Sequence, residues 1–533
     1  MTADQRAVQV LSRLTFGARP GDVDAIKKLG IRAYIEQQLA PDAIDDSALN
    51  KRLEKLPTLM LANPTLAEQY NPPKPAATPT PIAAANMMPA ESPMPSPSPA
   101  ASVKPTPTPK NPGMVVTELQ RAKLLRAVYS NRQLYEVMVD FWENHFSIFA
   151  NKDADRLLLT SFDRDSVRPF AMGRFRDLLG ATAHSPAMLF YLDNWQSTVV
   201  REYPATKDKP ARRTGGINEN YARELMELHT LGVGGGYTQK DVEEVARCFT
   251  GWTIRKPNEE GIFFFNPAQH DNGEKVVLGQ KIAAGGGIAD GERVLDILAK
   301  SPATARFVAT KLARRFIGDN PPTTLVNRAA AVFLKTDGSI TETLRAIVTS
   351  PEFFGSNAYQ TKVKSPFEFV ASALRITNAE TDANSPVLGW ISRMGQPVYG
   401  RVTPDGYPDV RDGWLSNNDL LSRLNFAIAL TSNGIKGTKV EVNKLVPNAL
   451  DDTNIAKQVA QSFLIGQQSK ETLASLEKTA ASMGNTTATS AKPTAIPNAA
   501  SQWTATPTKA TTGPPLAAQL IALTLGSPDF QRR

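Results

Sequence analysis

The sequence predicts a mainly α-helical protein: a multi-helix globular domain with a small β-hairpin excursion and two disordered Pro/Ala/Thr-rich inserts. Three observations carry this expectation. Apolar residues recur at i, i+3 and i+4 through most of the chain. Helix starts are marked by Ser-Pro pairs at Ser185, Ser301, Ser350, Ser365 and Ser527, where proline suits the first helical position and serine the cap. Both signals vanish in two stretches rich in Pro, Ala and Thr, which lack the apolar side chains needed to offset ordering entropy.

Taken in order, residues 1–70 read as short helices of the main domain. Leu11, Leu14 and Phe16 lead to a stop at Gly17, and Pro20-Gly21-Asp22 restarts a helix through Ile26 and Leu29. Residues 71–113 form the first insert and hold 14 of the 40 prolines. The main body spans 114–481, the second low-complexity insert 482–515, and a closing helix of the same domain 516–533. Within the body, the 131–146 stretch places Leu134, Val137, Met138, Phe141, Trp142 and His145 on one stripe and Asp140, Glu143 and Asn144 on another. Strand-like runs at 261–265 and 275–278 flank Asn272-Gly273, a hairpin-turn pair, so His270 and Asp271 are expected in an exposed turn.

The most chemically dense stretch is 218–252. Its first helix puts Tyr221, Leu225, Leu228 and His229 with the apolar side, and Asn220, Arg223, Glu224 and Glu227 on the opposite side. Two readings stand. The polar face is solvated, with an Arg223–Glu227 pair worth about 0.2–0.5 kcal/mol; or it looks into a cleft, where Glu224 and Glu227 act as acid or base or bind a cation. Gly232, Gly234, Gly235 and Gly236 form the turn, and Thr238 with Asp241 caps the next helix. Cys248, the one cysteine, reads as a small buried apolar residue.

Composition narrows the function. With 533 residues the chain can bury a large core, and its apolar runs are too short for a transmembrane helix. One cysteine excludes an internal disulfide and a multi-cysteine metal cluster. The net charge of +8 and pI near 9.3 are a moderate basic excess, compatible with an anionic polymer or a membrane surface and diagnostic of neither. The densest basic stretch, Arg201, Lys207, Lys209, Arg212 and Arg213, reads as a loop and comes without a nucleic-acid motif, so no nucleic acid is expected.

The four histidines, His145, His184, His229 and His270, each fall in a polar–aromatic motif. The bland reading makes them satisfied core residues. The functional reading gathers His145, His270, Asp271 and Glu143 around a divalent metal, since imidazole and carboxylate suit such ions. Catalytic roles then go to Glu224, Glu227, Arg223 and Asn220 with His229.

Several stretches together resemble a bacterial family known as domain of unknown function 1800: RLTFGARPGDV, FWENHF (141–146), PAMLFYLDN (186–194), NENYARELMELHTLGVGGGYT (218–238), ARCFTGW (246–252), HDNGEKVVLG (270–279), PDGYPDVRDGW (404–414) and SPDFQRR. The resemblance implies a largely helical fold and a periplasmic or secreted location. It also implies a sulfatase-like protein of a neighbouring gene as partner. It brings no catalytic residues. Relatives often carry another histidine where this chain has Glu143, and a carboxylate there favours a harder ion. The expectation is a hydrolase or lyase acting on an envelope or extracellular polymer. The alternative is a non-catalytic binding or assembly protein partnering an envelope enzyme.

Overall fold

Helices begin where the capping chemistry sits. Thr2, Thr238 and Ser365 each close a reciprocal capping box, with Gln5, Asp241 and Glu368 as the third helical residue, so two orphan amide donors are satisfied at each start. Ser301 and Ser527 cap with proline behind them. Ser185 holds the cap position, but its hydroxyl makes no cap bond.

This computed structural model describes residues 1–71, 110–446, 452–484 and 516–533. Those residues carry 24 α-helices and only two-stranded antiparallel sheets. The two stretches expected to be disordered lie almost entirely outside the described residues. The second was read as starting at 482, but the Lys470–Gly484 helix continues to 484. Among the described residues, no helix is long and apolar enough to cross a membrane. One continuous apolar core takes side chains from Ala7 through Phe530. The closing helix, Leu516–Gly526, packs on Asn417–Thr431. Residues 362–364 pair with 531–533 through backbone hydrogen bonds, which brings Arg533 inside.

The β structure departs from the sequence reading. The 262–265 strand pairs with Trp252–Arg255, and Lys275–Val277 pairs with Gln280–Ile282. These are two separate hairpins, and Asn272-Gly273 does not join them. His270 therefore lies between the hairpins and is 3% exposed. The local alternation was right, but the partner strand was set by the aromatic packing of Trp252 on Phe263. The basic stretch expected as a loop is a further hairpin, Thr198–Tyr203 with Arg212–Gly216.

Candidate functional site

Two helices frame the cleft. Gln133–His145 and Pro302–Phe316 run antiparallel, because Asp140 meets Arg315 and His145 meets Lys311. A third, Gly113–Tyr129, supplies Lys123 from behind. The turn-rich segment 396–414 forms the other wall with Tyr399, Asp405, Tyr407, Asp409 and Trp414. The cleft encloses about 300 Å³, at the lower end of small-molecule sites, and takes a unit the size of one sugar.

At its floor lies a chain of alternating charges. Lys123 Nζ donates to Glu143 Oε2 at 2.7 Å and pairs with Asp140 at 2.8 Å. Tyr399 Oη donates to the other Glu143 oxygen at 2.9 Å. Arg315 continues from Asp140 to Glu368 at 2.5 Å, and Arg533 meets the same Glu368 oxygen at 2.9 Å. Burial pushes the Glu143 carboxyl up to about 7, even with Lys123 opposing. Burial alone would push Lys123 down, but Asp140 and Glu143 hold its ammonium above the ordinary range. Tyr399 has φ of 56°, a strained conformation for a bulky residue, of the kind that gathers at functional sites.

Above that floor sits a different pair. His145 is 2% exposed, and its Nε2 lies 3.1 Å from the carbonyl oxygen of His229. A carbonyl only accepts, so Nε2 carries the hydrogen and Nδ1 keeps its lone pair. Lys311 Nζ donates to that lone pair at 2.9 Å. Burial lowers His145 well below its ordinary value, with Lys311 adding to the effect. Burial also lowers Lys311 to about 8, against the pull of Asp409 and Asp405. No carboxylate pairs with Lys311 among the described residues, whereas Lys123, Lys152 and Lys362 all have one. One helical turn on, Arg314 lines the same cleft; its Nε donates to the Asp319 carbonyl and it forms no ion pair among the described residues.

The residues expected to form the site divide among several places. Glu143 and His145 line the cleft. His229 supplies its carbonyl but not its ring, which is buried with Nε2 unpartnered and held near 3 by burial and Lys311. Its helix, Glu219–Glu227, turns its polar face elsewhere: Arg223 reaches Gln239 and Glu227, and exposed Asn220 leans toward the Leu192 carbonyl. Neither they nor Glu224 line the cleft. Burial, with Glu227 beside it, raises Glu224.

The proposed metal set does not assemble. His270 Nε2 meets Asp290 at 3.0 Å and its Nδ1 meets the Thr250 carbonyl at 2.8 Å, while Asp271 pairs with Arg247 at 2.8 Å. Both nitrogens of His145 and His270 are thus committed to the protein. Among the described residues no three His, Cys, Asp or Glu side chains gather as a metal-ligand group. The reading failed because a hairpin turn was expected at His270, which would have freed its ring. His184 is also apart, pairing with Glu292 at 3.0 Å.

Residues 9–532 match the family described as Protein of unknown function (DUF1800). The chain belongs to the DUF1800 family. No curated protein and no solved structure matches it. The central 218–238 motif of this DUF1800 chain is thus built around the cleft rather than into it. Its helix end and glycine turn place the His229 carbonyl that sets the His145 tautomer. Sequence reading missed Lys311, Arg314, Lys123 and Tyr399. A signal existed: Lys311 and Arg315 stand at i and i+4 on one face of the Pro302–Phe316 helix, with Phe307 a turn before them.

The 404–414 motif depends on Gly406. Its φ is 73°, and a Cβ there would sit 2.2 Å from the Asn144 carbonyl oxygen. Asn144 also clamps Tyr407 through both its amide groups. Gly406→Ala is expected to lower stability by about 2 kcal/mol or more, from left-handed strain plus the clash. Thermal unfolding against the parent checks this; an unchanged midpoint would mean that the wall moves freely.

Proposed function

We propose that this chain is an acid–base enzyme of the lyase type, working on the acidic end or unit of an anionic polymer. The observation that carries the reading is Lys311: a lysine open to a cleft, bonded to an imidazole lone pair and free of any carboxylate partner among the described residues. An amine lowered to about 8 can take a proton near neutral pH, as a general base should. Arg314 is the group to hold a substrate anion. Tyr407 and Tyr399 stand on the facing wall, where their hydroxyls donate to the Pro397 carbonyl and to Glu143. The exposed hairpin 198–216 adds Arg201, Lys207, Lys209, Arg212 and Arg213, none ion-paired among the described residues. It supports polymer binding outside the cleft.

In a periplasmic or secreted setting such an enzyme would meet envelope polymers, and a sulfatase-like partner would act on the same polymer. The binding-protein reading has one observation in its favour: the polar face at 219–227 satisfies itself through Glu219, Arg223, Gln239 and Glu227.

Uronate-containing oligosaccharides are the assay, read by the ultraviolet absorbance of an unsaturated uronate. Activity should rise with pH and level off above about 8 as Lys311 loses its proton. Lys311→Met should lower kcat about 10²–10⁴-fold with an unchanged unfolding midpoint. Binding without turnover, unaffected by Lys311→Met, would favour the binding protein and end the enzyme reading.

A further inference from the structure

We infer that Lys311 acts covalently: its amine, seated against His145 in the cleft, forms an imine with an aldehyde or ketone that also bears an acidic group. The inference rests on the cleft proposed above and names its substrate class. It does not require that Lys311 remove a proton from carbon.

The geometry separates Lys311 from the other enclosed lysines. Lys123 and Lys362 are each held between two carboxylates, which keeps an ammonium charged and occupied. Lys275 meets Asp290 at 2.6 Å. Lys364 also lacks a carboxylate partner, and burial lowers it to about 7, but it lies 3.7 Å from the centre of the Phe530 ring and its crevice, about 60 Å³, is too small to admit a substrate beside it. Lys311 alone of these combines a neutral hydrogen-bond partner with a cavity large enough for a substrate. Its lowered affinity for protons agrees with that environment, which is how lysines become nucleophiles.

The step balances without an outside oxidant or reductant. The amine lone pair attacks the carbonyl carbon, forming the C–N bond, and the carbonyl π pair goes to oxygen, which takes a proton from solvent in the cleft. His145 Nδ1 already accepts from the amine at 2.9 Å, so it can receive the N–H proton; the imidazolium then keeps its Nε2–H bond to the His229 carbonyl. Returned to the carbinolamine hydroxyl, that proton lets water leave as the C–O bond breaks. The products are one water and one protonated imine, which keeps the second amine proton, so the step consumes the one proton taken from solvent. Arg314, three residues along the same helix, binds the acidic group and places the carbonyl over Lys311.

Full-length protein is incubated at pH 7.5 with glyoxylate and sodium cyanoborohydride, the hydride donor that makes an imine permanent. Adducts are located by peptide mass spectrometry. The expected result is one carboxymethyl group at Lys311, formed at least tenfold faster than at any other lysine and absent from Lys311→Arg. Arg314→Met should slow glyoxylate trapping about tenfold but leave propionaldehyde, which has no charge, at the parent rate. Circular dichroism of each variant confirms folding. Adducts spread evenly over surface lysines, or placed at Lys364, would overturn the imine. If trapping fails while lyase activity still depends on Lys311, the acid–base reading stands alone. If trapping succeeds without lyase activity, the imine stands and the acid–base reading goes.

Discussion

Glu368→Ala is expected to cost about 3–5 kcal/mol of stability, the usual loss when one member of a buried ion pair is removed. Glu368 is 5% exposed and holds Arg315 and Arg533 together, while its second oxygen accepts from the Ser365 backbone N–H at 2.9 Å. Truncation leaves Arg533 enclosed without its anion and Arg315 with only Asp140 at 3.7 Å, and it removes the Glu368 half of the capping box that starts the Pro366–Ile376 helix. Glu368→Gln retains the cap and removes the charge, so its loss should be smaller.

The pH dependence has a definite sign. Burial would push the Glu368 carboxyl up, but Arg315 and Arg533 hold it at about 2, below its ordinary 4.5. A depressed carboxyl contributes stability above its unfolded value, lost as pH falls through the folded one. Urea unfolding between pH 2.5 and 7 should therefore show Glu368→Ala losing most at pH 5–7 and least at the acid end. A uniform loss across that range would place the effect in packing instead of charge.

Lys123→Met is the second large effect, and its pH slope runs the other way. Lys123 is the cation between Asp140 and Glu143. Its removal leaves Glu143 enclosed without its cation, with the Tyr399 hydroxyl on one oxygen and the Asp163 carboxyl beside it, at a cost of about 3–5 kcal/mol near pH 8. Glu143 is already raised to about 7 in the parent, and loss of Lys123 raises it further. A carboxyl whose folded value lies above its unfolded value binds protons more tightly when folded, so stability rises as pH falls. The variant should recover much of its loss between pH 8 and pH 5. The same loss at both ends would show that the Lys123 stem, packed near the Phe367 and Tyr399 rings, matters more than its charge.

Helix positions were legible because capping and periodicity are local. Thr238-Gln239-Lys240-Asp241 closes its box as the spacing demands, and Arg223 stands 3.6 Å from Glu227. His229 also went where its wheel position put it, into the apolar interior. Strand pairing was not legible. The 262–265 run offers the same alternation to either neighbour, and only packing on Trp252 chose. The acidic helix 219–227 drew attention through its composition, yet Glu219, Arg223 and Glu227 are paired within or near the motif.

What the amino-acid order by itself determined is the helical architecture, the caps at Thr238, Ser301, Ser365 and Ser527, though not a helix start at Ser350, where only a turn follows, and the membership of one family across 9–532, since these rest on short-range spacing or on whole-length similarity. What only the tertiary structure decided is the cleft. Lys123, His145, Lys311 and Tyr399 are separated by up to 276 positions, and no periodicity links residues so far apart. Their pairing depends on which helix faces lie against one another. That is also why Lys311 could not be singled out beforehand: a lysine is unusual only when the carboxylates around it have been given to other partners.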